Sequence, residues 1–178
     1  GGFITPAAEP AYYGKVIPES NFDQPLSASG TFRCENGVFH ILVGFFHSKT
    51  VNEWRTPNTV VLRLSGRGEK FYAWLEYCTN KWRAGGDHPK GYFRMDPKRN
   101  RPIHQEFVSK GQLHRWSLTY DPKTKGGKGV ITAKIDEELA ICDIDEGHRD
   151  DGATFNRFGI MTVMKSADTG GEIGRAHV

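Results

Sequence analysis

The chain has 178 residues, enough for a single domain that buries a hydrophobic core without disulfides or metals. Its 21 glycines, 9 prolines and 12% aromatic residues are typical of a turn-rich all-β protein rather than a helical one. The net charge of +3 arises from interleaved acids and bases, so the sequence predicts no nucleic-acid-binding face. No apolar run approaches the ~18–20 residues of a membrane span, so no such span is predicted.

The strand predictions follow from short apolar or alternating runs between turn signals. Segment 1–24 carries three prolines and is predicted to be extended and packed on the domain, with at most a short edge strand. Segment 83–102 is dense in glycine, proline and charge and is predicted to be a long exposed loop. The predicted strands are 26–34 (bent at Gly30), 38–47, 59–64, 70–78, 103–108, 113–120, 130–135, 139–144, 155–165 and 172–178.

About ten short strands without any helical stripe predict a two-sheet antiparallel β-sandwich or jelly roll that spans residues 1–178 as one domain. An up-and-down barrel is the weaker alternative, because the connections differ greatly in length. The chain stops within the last predicted strand, so we expect the C-terminal strand to be truncated. Three buried thiols are predicted for Cys34, Cys78 and Cys142, with one disulfide and a free thiol as the alternative.

From residue 113 onward, HRWSLTYDP, GVITAKIDEELA and GATFNRFGIMT resemble the second half of a concanavalin A-like (LamG-type) jelly roll. In that superfamily a Trp-containing strand ends in a turn, and a reversal of the DGE type, here Asp136-Glu137-Glu138, joins two strands. An F-x-R-F-G-like strand, here 155–159, then leads to the final strand. The resemblance covers 113–178 well and 26–80 loosely, and its motifs are of superfamily grade.

The resemblance implies a curved sandwich whose concave face or edge loops bind carbohydrate. We therefore expect a polysaccharide- or oligosaccharide-binding module that acts outside the cell or in the periplasm. Because the superfamily also contains glycoside hydrolases, polysaccharide lyases and protein-binding modules, an enzyme and a protein-interaction module stay open as alternatives.

The candidate ligand-binding residues surround the hairpin 59–78. Sugar recognition uses aromatic faces for the apolar side of a pyranose and planar polar groups for its hydroxyls. Trp54 and Trp82 would stack on sugar rings, and the alternative is that both close the ends of the sandwich. The polar candidates are Asn52, Glu53, Arg55, Asn58, Arg63, Glu76 and Arg83, with the arginines favouring acidic sugars.

Glu76 is the central candidate, because it shares a strand face with Tyr72 and Trp74 and adjoins the strand of Arg63. Three hypotheses stay open: a structural Arg63–Glu76 pair, a ligand-contacting pair, or an acid/base catalyst with Glu53 or His47 as the second group. Asn58, Arg63 and Glu76 also loosely resemble an Asn, Arg and Glu set of the 3-keto-glycoside hydrolase-like domains.

The acidic loop 145–152, together with Asp143 just before it, has two open interpretations. Asp143, Asp145, Asp150 and Asp151 would form either a solvated loop or part of a structural calcium site, which the superfamily often carries. The EF-hand template does not fit the spacing, and the dispersed histidines form no zinc motif. The sequence therefore requires no cofactor, and no metal ligand is assigned.

Overall fold

The computed structural model describes residues 2–4, 11–34, 37–51, 56–82, 90–109, 111–162, 171–173 and 176–177. Within these ranges the chain is almost entirely extended, with a single four-residue helix. The elements are β1 (Gly2–Ile4), β2 (Ala11–Asn21), β3 (Leu26–Phe32), β4 (His40–Phe46), β5 (Thr59–Arg67), β6 (Lys70–Cys78), β7 (Arg94–Asp96), β8 (Arg101–Ile103), β9 (Gln105–Val108), β10 (His114–Asp121), α1 (Thr124–Gly127), β11 (Val130–Ile135), β12 (Glu138–Asp143), β13 (Thr154–Thr162), β14 (Gly171–Ile173) and β15 (Ala176–His177).

Two large antiparallel sheets form the body of the protein. One has six strands in the order β2-β13-β4-β5-β6-β9, and the other has five in the order β12-β11-β10-β3-β15. The pairs β1-β14 and β7-β8 form two small additional sheets. One apolar core contains residues of both large sheets, among them Leu62, Phe71, Leu118 and Ile131. The predicted all-β antiparallel sandwich is confirmed at this level.

The two sheets bury their faces differently. Along β10, the side chains of His114, Trp116, Leu118 and Tyr120 are buried while Arg115 and Thr119 are exposed, as alternation predicts for a sheet with one wet face. In contrast, β4 is buried at every residue. Its second face packs with neighbours of the same sheet in a separate small cluster of Leu42, Phe46, Val61 and Met161. We call this second face of the six-stranded sheet, turned away from the five-stranded sheet, the outer face.

The prediction for segment 1–24 was wrong in extent. Its described part forms β2, an eleven-residue strand at the edge of the six-stranded sheet that pairs with β13. The register shifts between Phe155 and Arg157 of β13, opposite the part of β2 that contains Pro18. Proline has no ladder donor and is tolerated at an edge strand beside such an irregularity, so Pro18 is compatible with a long strand.

The turn of the hairpin 59–78 is shorter than the gap between the predicted strands 59–64 and 70–78. β5 continues through Arg67, which pairs with Lys70, so the turn consists of Gly68 and Glu69. Gly68 has a positive φ of 65°, which favours glycine at this place. Gly66 lies within β5. A glycine is needed at this position because the Phe39 ring occupies the space that a Cβ would need. The glycine there serves close packing.

Three further boundaries differ from the predictions. β3 passes through Gly30 without a break and ends at Phe32. The predicted strand 103–108 is divided at His104 into β8 and β9. Within the predicted exposed loop 83–102, residues 83–89 lie outside the described residues, and the rest contains β7 and the buried rings of Tyr92 and Phe93. The polar composition of this segment therefore indicated neither the β7–β8 hairpin nor the burial of Tyr92 and Phe93.

All three cysteines are buried thiols that form no disulfide, as predicted. Burial raises the pKa of the Cys142 thiol to about 12. Among the residues that the structure describes, no helix is long and apolar enough to cross a membrane.

Candidate functional site

The most unusual chemistry of the structure lies at the centre of the outer face. On β5, Leu62 and Leu64 point into the core between the sheets, so Arg63 between them points to the outer face. On β6, Leu75 and Tyr77 point into that core, and Glu76 therefore also lies on the outer face. Two charged side chains thus lie buried on the same face as the apolar cluster of Leu42, Phe46, Val61 and Met161.

Arg63 and Glu76 form an ion pair that is shielded from water. The Nη2 of Arg63 lies 2.8 Å from Oε2 of Glu76, and the two side chains are only 1% and 2% exposed. The pair is diagonal, because Arg63 is directly opposite Trp74 while Glu76 is opposite Val61. The predicted cross-strand pair is confirmed. Burying such a pair gains little net stability, since desolvation offsets the attraction.

Two aromatic side chains complete the hydrogen bonding around the pair. The indole Nε1–H of Trp74 donates to Oε1 of Glu76 at 2.7 Å. Nη1 of Arg63 donates to Nε2 of His40 at 2.9 Å. A guanidinium group has only donors, so this nitrogen of His40 must accept and the ring is neutral in this arrangement. We call His40, Arg63, Trp74 and Glu76 the buried cluster.

Aromatic rings connect the buried cluster to the surface on the β6–β9 side of the sheet. The Trp74 ring stacks on Tyr92 with a centroid distance of 6.5 Å and an interplanar angle of 11°. The exposed His104 ring meets Trp74, Tyr92 and Tyr72 edge-on at 5.4, 5.3 and 5.6 Å. Such edge-on contacts are favourable between aromatic quadrupoles and hold the rings in place.

The Tyr72 and His104 rings belong to a strip of polar groups at the surface. The carboxylate of Glu106 accepts hydrogen bonds from Lys70 at 2.6 Å and from the Tyr72 hydroxyl at 3.0 Å. The Arg67 guanidinium lies 5.9 Å from the centroid of the Tyr72 ring. We call Arg67, Lys70, Tyr72, His104 and Glu106 the edge strip.

The contacts in the edge strip predict an acid-sensitive arrangement. The hydrogen bond from Lys70 lowers the pKa of Glu106, and the same bond raises the pKa of Lys70. A carboxylate whose pKa is lowered on folding stabilises the folded state above its unfolded pKa and loses that contribution as the pH falls through its folded pKa. We expect the Glu106 carboxyl carbon to titrate by NMR below the range of an ordinary glutamate. Lys70→Met should move its midpoint upward, and an unchanged midpoint would contradict the contact.

Five of the predicted site residues lie outside the described residues. They are Asn52, Glu53, Trp54, Arg55 and Arg83. Their roles stay predictions, including that of Glu53 as a second catalytic group.

Asn58 is buried at the start of β5, with a positive φ of 58°. Its side-chain oxygen accepts from the backbone N–H of Thr154 at 3.3 Å, so it links the start of β5 to the start of β13. Asparagine tolerates this backbone conformation better than most residues. The structure therefore places Asn58 in a structural contact, away from the buried cluster.

Trp82 lies beyond the end of β6 and packs on the core between the two sheets. Its ring is 5.0 Å from Tyr77 and 4.3 Å from His148, measured between centroids. The Tyr77 hydroxyl in turn contacts Nδ1 of His148 at 2.9 Å. This is the arrangement expected of a tryptophan that closes an end of the sandwich. Trp82 does not join Trp74 on the outer face.

His47 follows the last residue of β4. Its Nδ1 accepts from the backbone N–H of Lys49 at 3.2 Å, and its Nε2 is 3.3 Å from the side-chain nitrogen of Asn156. Glu76 lies two strands away on β6, opposite Val61, which itself is opposite Gly44. The described contacts of His47 therefore connect it to β13 and not to Glu76.

Three aspartates in or next to the acidic loop contact a lysine or a hydroxyl group. Asp145 pairs with Lys90 at 2.8 Å and Asp143 approaches Lys125 at 3.6 Å. Asp151 accepts from Thr79 at 3.1 Å. Among the residues that the structure describes, no group of three potential metal ligands is assembled. A structural calcium ion stays a prediction.

His40, Tyr92 and His104 were not among the predicted site residues. His40 shares strand parity with Leu42, but only the strand order β4-β5-β6 shows that it reaches Arg63. Tyr92 comes from a segment that was predicted to be a loop, and the isolated bridge between Tyr92 and Trp74 aligns it with β6. His104 lies within the predicted strand 103–108, but its contacts with Tyr72, Trp74 and Tyr92 depend on where that segment packs. Hydrophobic periodicity cannot find such residues, since it holds no information on which segments become neighbours.

No family model matches the chain, and no curated protein or solved structure is significantly similar to it.

Proposed function

We propose that the protein binds carbohydrate, a polysaccharide or oligosaccharide, along the edge strip, with the buried cluster as its rigid support. The observation that carries the proposal is the contact between Trp74 and Glu76. It fixes the Trp74 ring, which meets the exposed His104 ring edge-on, and His104 in turn meets Tyr72. Rings at the surface offer apolar faces to sugars, and the adjacent Glu106, Lys70 and Arg67 offer planar or charged partners for hydroxyls.

The buried ion pair supports a binding role because it is costly to build and gives little stability. Arg63 and Glu76 face away from the main core, so an apolar pair would have served the fold equally well at this position. Their hydrogen bonds fix the orientation of Trp74 and His40. Side chains that are held in place before binding lose less conformational entropy when a ligand arrives. In this arrangement Arg63 and Glu76 act as positioning residues.

The concanavalin A-like jelly roll is the finer fold that we propose, because antiparallel sheets of six and five strands that share one core suit it. An extracellular or periplasmic location follows from the proposed ligand class. The alternative function, a glycoside hydrolase or polysaccharide lyase that uses Glu76 with Glu53 or His47, requires substrate to reach a carboxylate that is 2% exposed and holds two donors. Product release abolished by Glu76→Gln would favour that alternative.

The decisive experiment compares variants in a binding panel of insoluble and soluble polysaccharides, both neutral and uronic-acid-containing. We expect Tyr72→Ala with His104→Ala to weaken binding about tenfold or more, since each aromatic contact at a binding centre contributes more than about 1 kcal/mol. The matched control is Arg115→Ala with Leu139→Ala, which removes two exposed side chains from the five-stranded sheet. No binding by the wild-type protein, or equal binding by both double variants, would overturn the proposal.

A further inference from the structure

The edge strand β2 has an exposed apolar surface. Tyr13 and Val16 are 71% and 66% exposed, the two highest values among large apolar side chains in the described residues, and Tyr12 on the same strand is 41% exposed. Within the described part of the chain no strand pairs with the far side of β2. A long edge strand with apolar side chains is a template for pairing with another strand.

We propose that the partner is a second copy of this chain, whose β2 pairs antiparallel with β2 around a two-fold axis at Gly14. In this register Tyr12 is opposite Val16 of the partner subunit, and Tyr13 is opposite Lys15 of the partner subunit. Gly14 meets its own copy at the axis, where it brings no side chain. The pairing joins the two six-stranded sheets into one continuous sheet.

The faces of the strand agree with this register. Tyr12 and Val16 pair with Met161 and Arg157 of β13, which places both on the outer face. Directly opposite residues of an antiparallel pair lie on the same side, so two exposed apolar side chains meet there. On the inner side, the lysine ammonium meets a tyrosine ring, a favourable cation–π combination.

The other described edges suit self-pairing less well. β12 also exposes two apolar side chains, Leu139 and Ile141. These two side chains are 45% and 49% exposed, less than Tyr13 and Val16 of β2. β9 has only four residues. In contrast, the part of β2 before its irregularity carries one charge, Lys15, and that charge faces a tyrosine.

The length of β2 limits the strength of the dimer. Regular pairing with β13 runs from Ala11 to Val16 before the register shifts, so the available segment is short. A strand pair of this size buries less than the ~1,200–2,000 Å² of a standard stable interface. We therefore expect a concentration-dependent dimer rather than an obligate one.

The dimer has a consequence that rests on the proposed function. A two-fold axis perpendicular to the sheet leaves both outer faces on the same side, so two edge strips would face one polymer. Binding at two linked sites exceeds the affinity of one site without new contacts. The dimer itself is tested without any ligand, so its failure and that of the carbohydrate proposal are distinguishable.

Sedimentation velocity of the full chain, over a concentration series up to ~100 μM, tests the proposal. The wild-type protein is expected to shift from monomer to dimer. Tyr13→Lys sets a second lysine opposite Lys15 of the partner subunit, and symmetry repeats this like-charge contact. The variant should therefore raise the dissociation constant of the dimer tenfold or more. Adding Lys15→Glu to this variant creates opposite charges in the same positions and should restore the dimer. Ile141→Lys on β12 is the control and should leave association unchanged.

The outcomes are decisive in both directions. A wild-type protein that stays monomeric over the series overturns the proposal. It is likewise overturned by a dimer that survives Tyr13→Lys or dissociates with Ile141→Lys. Failure of the charge-swapped double variant to associate excludes the register around Gly14. All substituted side chains are exposed, and thermal melts monitored by circular dichroism establish that each variant is folded.

Discussion

Replacing Glu76 by alanine is expected to lower the free energy of unfolding by about 3–5 kcal/mol, the largest loss we predict for one ionic side chain. The substitution leaves the Arg63 guanidinium without its carboxylate at a site where its side chain is 1% exposed. It also removes the acceptor of the Trp74 indole N–H. Urea denaturation followed by tryptophan fluorescence and circular dichroism measures the change.

The matched control is Glu106→Ala, which removes the carboxylate of the Lys70–Glu106 ion pair on the same face of the sheet. Lys70 and Glu106 are 56% and 47% exposed, so water screens their interaction and the stability should barely change. Equal losses for Glu76→Ala and Glu106→Ala would contradict the assignment of a desolvated pair.

A double substitution separates stability from function. Arg63→Met with Glu76→Leu removes both charges, so no uncompensated charge stays buried. We expect this variant to be more stable than Glu76→Ala, although it carries two changes. Polysaccharide binding by the same variant should still be weakened, because Trp74 has lost its fixed hydrogen bond. A variant that keeps both stability and binding would show that the pair does not position the binding residues.

Replacing His114 by alanine should be the second large loss, about 2–4 kcal/mol. The ring is 1% exposed, and Nδ1 lies 2.7 Å from Asp136 Oδ2 while Nε2 lies 2.7 Å from the Val108 carbonyl oxygen. The ring thus joins β9 to the turn between β11 and β12. It also contacts the Phe32, Phe71 and Phe107 rings at centroid distances of 5.5, 5.2 and 6.1 Å. Alanine removes two polar contacts and leaves a cavity among these rings.

Asp136→Asn is the control for His114. Asparagine keeps an oxygen for the backbone N–H of Arg115, which Asp136 now accepts at 3.0 Å, and it tolerates the positive φ of 52° at this position. The imidazole can accept from the new amide and still donate to Val108. The expected loss is therefore no more than about 1 kcal/mol. His114→Ala within ~0.5 kcal/mol of the wild-type protein in urea denaturation would contradict the role assigned to the ring.

Strands with strong local signals were predictable from the sequence. β10 has the alternation of a half-buried strand, and the structure buries the side that carries Trp116 and Leu118. β11 begins and ends where it was predicted, and Asp136 with Glu137 forms the turn to β12. β4 has a continuous apolar run, which is typical of a strand buried on both faces, and all of its residues are buried. In each case neighbouring residues alone determine the signal, so no knowledge of distant partners was required.

Strands with weak local signals were not predictable. β2 contains Pro18, which argued against a long strand, and the strand forms through its pairing with β13. β7 and β8 lie in a segment whose glycine, proline and charge indicated a loop. Gly66 has the local signal of a turn residue, but it lies within β5, where the Phe39 ring leaves no space for a Cβ. Tertiary contacts override local propensity at such places.

The candidate site divides in the same way. By itself, the sequence determined that Glu76, Trp74 and Tyr72 share one face of a strand, and that Arg63 is on the adjacent strand, since hairpin pairing is local. Only the tertiary structure decided that the Arg63–Glu76 pair is diagonal and closed to water. It also decided that His40, Tyr92 and His104 join it, and that Trp82 packs on the core beside Tyr77. The physical reason is that strand order and burial depend on which distant segments pack together, and side-chain alternation along one strand is silent on both.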